Sequence, residues 1–196
     1  MTIAVLGWGS LLWAEGVLDL ATAWSRGGPQ LPIEFSRVSE SRAGALTLVL
    51  DPQNGEWNST WFAISSQRNL NDAIRSLSRR EHTDPESIGY VNCRNAQCRS
   101  HVLPSASRAI SDWAAENDID AVIWTDLPSN FGEVDKTKFA DVERPNMAFT
   151  VDNAVEYLYG LRTDGAAKAR EYIKKAPPEV DTPLRQRLHG DPWLDE

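Results

Sequence analysis

The stretch that decides the fold is Ile3-Ala4-Val5-Leu6-Gly7-Trp8-Gly9-Ser10-Leu11-Leu12-Trp13, at the start of the chain. It opens with a short apolar run that is typical of a buried strand, and two glycines follow almost directly. Glycine lets the backbone turn tightly, so the N–H groups of Gly9, Ser10 and Leu11 can point into a cavity. Because N–H groups in this arrangement bind carboxylates and oxyanions, the stretch predicts the floor of a site for a small anionic substrate.

The composition is that of an ordinary globular protein. The chain has 196 residues, of which 41% are hydrophobic and 24% charged, so we expect a single domain over residues 1–196. A net charge of -8 argues against nucleic acid and membrane surfaces as partners. The opening residues lack a basic leader and a long apolar run, and two cysteines suit a reducing compartment. The sequence therefore predicts a cytoplasmic protein and leaves monomer and homodimer both open.

Strand patterns dominate the first half of the chain and helix patterns the second, which predicts an α+β fold. Strands are predicted at 3–6, 31–39, 45–50, 56–64, 88–93, 100–103 and 119–125, and helices at 70–82, 107–117, 150–161 and 166–175. The turn sequence 51–55 predicts that the strands on either side of it form a hairpin. We expect residues 126–147 to form a surface loop or lid, and residues 176–196 a C-terminal tail. A dinucleotide fold is disfavoured, because Gly7-x-Gly9 lacks the third glycine and the acidic residue that follows it.

The order of these elements resembles the γ-glutamyl cyclotransferase superfamily, in which a first strand ends in Tyr-Gly-Ser and a later helix precedes a catalytic glutamate. Here Trp8-Gly9-Ser10 takes the place of Tyr-Gly-Ser, and Arg80-Glu81 follows the helix. Residues 7–13 and 46–52 are similar to the glutathione-specific branch, and residues 170–173 resemble the helix that places a tyrosine in the site. The resemblance extends over residues 3–175. It departs from the family at Trp8 and over residues 126–147, which have no counterpart.

The resemblance implies a fold, a reaction and a set of site residues. The fold would be a mixed or antiparallel, partly closed sheet, a small barrel, with flanking helices. The reaction would convert a γ-glutamyl peptide or amine, such as glutathione or a γ-glutamyl amino acid, to 5-oxoproline and the released amine. No cofactor or metal is implied, because the nucleophile is the substrate's own amine. One carboxyl group can take the proton and return it, and the resemblance assigns that role to Glu81.

The remaining site residues would bind the substrate. The loop Trp8, Gly9, Ser10 and Leu11 would hold the glutamyl carboxylate through backbone N–H groups, which also suit a tetrahedral oxyanion. Tyr172 would donate a hydrogen bond, with Tyr157 and Tyr159 as rivals. Arg42 would lie at the mouth of the site and attract a second carboxylate. The plain alternative is that Glu81 and Arg42 are solvated charges and that the loop is a simple turn.

Three other functions stay open. One is a ligand-binding or regulatory protein on the same fold that lacks turnover. Another is an acyl hydrolase with Ser10 as nucleophile, although the pattern Gly-x-Ser-x-Gly is absent. The last is a zinc site on Cys93, Cys98 and His101 with His82 as a remote fourth ligand, against which the long spacing between the cysteines argues.

Overall fold

Strand β1 (Ile3–Gly7) is buried along its whole length and lies near the middle of the strand order. The computed structural model of the chain describes residues 1–104, 106–132 and 145–195. The other strands are β2 (Ser25–Ser39), β3 (Ala45–Leu50), β4 (Glu56–Ile64), β5 (Ile88–Asn92), β6 (Gln97–Arg99) and β7 (Ala121–Thr125). The helices are α1 (Leu70–Glu81), α2 (Ala106–Glu116), α3 (Val151–Tyr159), α4 (Thr163–Lys175), α5 (Pro183–Leu188) and α6 (Pro192–Asp195).

The strands form a mixed sheet in the order β3-β2-β4-β1-β7-β5-β6. Strands β1 and β7 are parallel, whereas β1 with β4, β2 with β3, β5 with β6 and β5 with β7 are antiparallel. The predicted α+β class is therefore confirmed. The predicted partial closure into a small barrel is wrong for the described residues, because β3 and β6 are two separate edges of the order.

The chain folds as two compact units, each made of two segments. The first unit contains residues 1–31 and 57–127, and the second contains residues 32–56 and 128–196. Strand β2 runs from the first unit into the second. In the first unit, Ile74 and Leu77 of α1 pack with Ile3, Val5 and Ile123 in one hydrophobic core.

In the second unit, β2 pairs with β3 and contains a bulge. Glu34 faces Val49 and Arg37 faces Thr47, so the two residues between Glu34 and Arg37 oppose a single residue of β3. The carbonyl oxygen of Ser36 accepts hydrogen bonds from Ser129 Oγ at 2.7 Å and from the N–H of Phe131 at 3.3 Å. The bulge thus turns backbone groups of β2 away from β3 and toward the segment that begins at residue 128.

The predicted hairpin of residues 45–50 and 56–64 is wrong, because β2 lies between β3 and β4. The turn between them crosses β2 closely: Asp51 N–H donates to the carbonyl of Pro32 at 3.0 Å. A Cβ atom at Gly55 would lie 2.7 Å from the backbone nitrogen of Ile33. Only glycine allows so close a crossing, and the same Asp-Pro-x-Asn-Gly sequence that favours a hairpin turn therefore serves a crossover.

Two other segments also differ from their predictions. Residues 100–103 are not a strand, because Ser100 Oγ and the N–H of His101 bind the carboxylate of Asp126, at 2.9 and 2.5 Å. The predicted polar tail contains α5 and α6 and buries Val180, Leu184 and Trp193.

Residues 133–144 of the predicted lid lie outside the described residues. Of the described helices, none combines the length and the apolar character that a membrane span requires.

Candidate functional site

The end of α1 sets the position of Glu81. Asn69 caps the N-terminus of the helix, where its side chain accepts hydrogen bonds from the N–H groups of Asn71 and Asp72. His82 ends the helix with φ of 50°, and its N–H donates to Arg79 O. Glu81 is therefore the last helical residue, at the point where the chain leaves the core.

The loop after β1 is buried rather than open. Trp8 is 5% exposed, Ser10 9% and Leu11 6%. Residues Ser10–Leu12 form a single 3-10 turn, in which Leu12 N–H donates to Gly9 O at 3.0 Å. Because the turn is tight and packed, its backbone groups hold fixed positions next to the end of β1.

Arg80 joins this loop to the end of α1. Its Nη1 donates to Glu81 Oε1 at 2.5 Å, and its Nη2 lies 2.5 Å from the carbonyl oxygen of Ala14 and 3.4 Å from Ser10 Oγ. The side chains of Arg80 and Glu81 are only 11% and 17% exposed. The predicted acid/base Glu81 and the predicted binding residue Ser10 therefore belong to one cluster around a single guanidinium.

The cluster has defined chemical capacities. The positive charge of Arg80 balances the negative charge of Glu81. A largely buried ion pair that also receives hydrogen bonds is stronger than one exposed to solvent. Oε1 of Glu81 is engaged by Arg80, whereas Oε2 has no hydrogen bond within the described part of the chain. A second carboxylate oxygen of this kind can accept a proton from a bound molecule while the first stays anchored.

The other two predicted site residues belong to the second unit and contact each other. The Arg42 guanidinium carbon lies 5.1 Å from the centre of the Tyr172 ring, in a cation–π arrangement. Tyr172 is 6% exposed and its ring meets Phe35 edge-on at 6.1 Å. The structure thus brings together Ser10 with Glu81 in one unit, and Arg42 with Tyr172 in the other.

The rival tyrosines have partners within the second unit. Tyr157 donates its hydroxyl to the carbonyl of Gly44 at 2.8 Å, and Tyr159 donates to Asp191 Oδ1 at 2.5 Å. Tyr159 is 54% exposed. Each hydroxyl therefore contributes to holding α3 in place.

The zinc alternative finds no donor set in residues 1–104, 106–132 and 145–195, which contain no group of three metal-binding side chains. Cys93 and Cys98 are both exposed and form no disulfide. Partial burial and the nearby carboxylate of Asp120 raise the pKa of Cys93, which makes its thiol a poorer ligand and nucleophile.

Sequence reasoning missed Glu34, which is fully buried in the second unit. Its Oε1 accepts from the N–H of Phe35 at 2.6 Å and its Oε2 from the N–H of Leu184 at 3.2 Å. Burial raises the pKa of Glu34 to about 7, the hydrogen bonds from Thr182, Phe35 and Leu184 oppose that rise, and the nearby Asp51 adds to it. An alternating strand would expose every second residue, but residues 31–36 are all buried, so the sequence pattern contained no signal for a buried carboxyl.

No protein-family model, curated protein or solved structure matches this chain.

Proposed function

We propose that this protein is a γ-glutamyl cyclotransferase with Glu81 as its general acid and base. One observation carries the proposal: Arg80 bridges Glu81 and Ser10, so the two elements that the resemblance implies for catalysis and binding meet at one place. Arg80 and Ser10 lie 70 positions apart in sequence, so their contact is not a trivial consequence of chain proximity. The substrate is a γ-glutamyl peptide or amine, such as glutathione or a γ-glutamyl amino acid.

The reaction is an internal aminolysis. The ammonium of the γ-glutamyl group first gives a proton to Glu81, and the resulting amine attacks its own γ-carbonyl carbon. A ring C–N bond forms, and the carbonyl oxygen becomes an oxyanion, which backbone N–H groups of the loop would stabilise. The original amide C–N bond then breaks as Glu81 returns the first proton to the departing nitrogen. The ring nitrogen passes its surplus proton through the same carboxylate to the released amine, which leaves as an ammonium, and 5-oxoproline remains. Bonds and protons balance without water, oxidant, metal or cofactor.

The protein's main contribution is the arrangement of a substrate that already contains its nucleophile. Holding amine and carbonyl in an attack geometry contributes up to about 7–11 kcal/mol in favourable intramolecular systems. A buried, hydrogen-bonded loop suits that task, because its backbone is rigid and does not adjust to a substrate in the wrong orientation. Anchoring Glu81 through Oε1 likewise fixes the direction of Oε2.

The test is 5-oxoproline release, measured by mass spectrometry, from glutathione, γ-glutamyl dipeptides and γ-glutamyl amines. We expect release by the native chain, and loss of at least about 100-fold in Glu81→Gln, since a general acid–base group contributes about 10²–10⁴. Glu86→Gln is the matched control, because Glu86 is 79% exposed and forms its ion pair with Arg99. Equal release by native protein and Glu81→Gln would remove Glu81 from the mechanism.

A non-catalytic ligand-binding protein is the second candidate. It is favoured by the engagement of Glu81 Oε1 with Arg80 and by the burial of the loop, both of which a structural role also explains. Under this alternative no compound of the panel releases 5-oxoproline, but a γ-glutamyl compound raises the melting temperature of the native chain. The same panel therefore separates the two functions.

We also propose that the protein works in the cytoplasm on a small-molecule substrate, without nucleic acid or membrane partners. The low cysteine content, two residues that form no disulfide, supports a reducing compartment.

A further inference from the structure

The pair Gly7–Trp61 lies where β1 leaves the sheet and the buried loop begins. Gly7 is the last residue of β1, and Trp61 of β4 is its partner in the antiparallel register. Two residues earlier, Val5 pairs with Ala63 and belongs to the core that α1 forms with the sheet. Because side chains alternate along a strand, Trp61 lies on the same face of the sheet as α1, whose last residue is Glu81.

Two side chains at the start of β2 cover this pair. The indole of Trp24 lies over Gly7, since a Cβ atom at Gly7 would be 2.9 Å from Cζ3 of the ring. The guanidinium carbon of Arg26 lies 5.2 Å from the centre of the Trp61 ring, in a cation–π arrangement. Arg26 is exposed, so its positive charge lies at the surface beside the point where the loop begins.

Two buried polar atoms around Gly7 have no hydrogen-bond partner in the described part of the chain. They are Nε1 of Trp24 and Oγ1 of Thr125, the last residue of β7. Strand β7 is parallel to β1, and Thr125 and Gly7 each follow the pair Val5–Ile123 by two residues. Buried polar atoms are rarely left unpaired. Both residues are partly exposed as a whole, so a polar ligand beside them would supply the missing partners.

An anionic ligand at this place needs a local cation, because the chain has a net charge of -8. The charge of Arg80 is balanced by Glu81. Arg42, the arginine predicted to attract a second carboxylate, belongs to the second unit. Arg26 belongs to the first unit, which also contains the cluster of Ser10 and Glu81, so it has the charge and the position for that role.

We propose that Arg26 is a specificity-determining residue that binds the carboxylate of the released amino acid, so that the protein selects γ-glutamyl amino acids over γ-glutamyl amines. The inference rests on the proposed cyclotransferase function and names its substrate class. A guanidinium binds a carboxylate through two parallel N–H groups, and an alkyl group offers no such acceptor. The Trp61 ring already restrains the Arg26 side chain, so binding costs less rotamer entropy. The exposed position of Arg26 suits the half of the substrate that departs into solvent.

The test compares γ-glutamyl-alanine with γ-glutamyl-ethylamine, which differ only in the carboxylate of the leaving group. Release of 5-oxoproline, followed by mass spectrometry, gives kcat/KM for each compound. The native chain should prefer the alanine compound by about tenfold or more, since a hydrogen bond to a charged group contributes that much. Arg26→Met retains the contact with Trp61 but loses the charge, so its two kcat/KM values should be equal within about twofold. Its kcat/KM for the ethylamine compound should stay close to the native value.

Two further variants show whether the loss of preference is specific. Arg108→Met is the matched control, because Arg108 belongs to the same unit and its side chain is 91% exposed. It should keep the native preference. Arg42→Met tests the arginine that the sequence predicted for this role. A preference that disappears in Arg42→Met and persists in Arg26→Met would overturn the proposal.

Failure of this inference and failure of the proposed function give different results. Release of 5-oxoproline with an unchanged preference in Arg26→Met, or equal release from both compounds by the native chain, removes Arg26 from recognition and leaves the cyclotransferase function intact. Release from neither compound removes the proposed function. Isothermal titration calorimetry of the same compounds then decides on Arg26. A native Kd about tenfold lower for the alanine compound, with equal Kd values in Arg26→Met, would support the role of Arg26. Equal or absent binding by the native chain would overturn it.

Discussion

Arg80 Nη2 lies 3.4 Å from Ser10 Oγ and connects the last turn of α1 to the loop after β1. The same guanidinium holds Glu81 and the carbonyl of Ala14. Two segments that are distant in sequence are therefore fixed by one side chain with little exposed surface. The geometry of this cluster depends on Arg80 more than on either of the residues it holds.

Replacing Arg80 by methionine should lower the free energy of unfolding by about 1–3 kcal/mol. The loss arises because Glu81 and the Ala14 carbonyl lose their donor, while the methionine side chain retains most of the packing. Urea denaturation followed by circular dichroism measures it. Arg79→Met is the matched control: Arg79 is the preceding residue, is exposed and should change stability by less than about 0.5 kcal/mol. Equal losses in both variants would contradict the bridging role of Arg80.

Replacing Ser10 by alanine separates the cyclotransferase from the acyl hydrolase. In a cyclotransferase the backbone of the loop does the binding, so Ser10→Ala should keep 5-oxoproline release within about tenfold of the native rate. In a hydrolase that uses Ser10 as nucleophile, turnover should fall by several orders of magnitude. Mass spectrometry after treatment with a serine-directed phosphonate gives the second readout. A phosphonylated Ser10 in the native chain would favour the hydrolase.

The sequence was sufficient where one local rule decides the structure. Helix α1 spans Leu70–Glu81, within one residue of the range 70–82 that its apolar period predicts. Strands β3 and β4 have the bounds that their composition predicts. Only the family resemblance predicted that Glu81 lies near the loop after β1. No local sequence pattern indicates the contact between Arg80 and Ser10.

The sequence was insufficient where contacts between segments far apart in the chain decide which segment packs at a given place. Residues 51–55 have the composition of a hairpin turn, yet the backbone of β2 occupies the place beside β3. Glu34 follows the alternation of a half-buried strand, yet residues of α5 cover its carboxyl. In both cases a segment that is distant in sequence, β2 beside β3 or α5 over Glu34, takes the place in which local patterns would put the next strand or solvent. The periodicity of the sequence does not predict such a contact.

Gly89 should not tolerate a side chain. A Cβ atom at this position of β5 would overlap the indole of Trp124 on β7, which is 1% exposed and donates through Nε1 to Asp126 Oδ1 at 3.1 Å. Because the indole is held on all sides, Gly89→Ala should destabilise the protein by about 1–3 kcal/mol. Gly160→Ala is the control, since its Cβ would lie at an ordinary 3.5 Å from the nearest atom. Thermal melting of both variants measures the difference, and a similar melting temperature would refute the steric argument.

The stability of the native chain should fall as the pH rises through the neutral range. Below about pH 4.5 Glu34 is neutral in both the folded and the unfolded chain. Between that pH and about 7 the unfolded chain releases the proton and the folded chain keeps it, so each rise in pH favours unfolding. The loss from about pH 5 to about pH 8 amounts to roughly 2–3 kcal/mol.

Urea denaturation of native protein and Glu34→Gln at both pH values isolates this contribution. All other titrating groups, including the three histidines, are common to the two proteins, so the difference between their pH profiles reports Glu34 together with its coupling to Asp51. The native chain should lose stability relative to Glu34→Gln as the pH rises, which is the opposite of the usual behaviour of a carboxylate held in a salt bridge. Parallel pH profiles would mean that the Glu34 carboxyl has the same pKa in the folded and unfolded chains, because water reaches it in the folded chain.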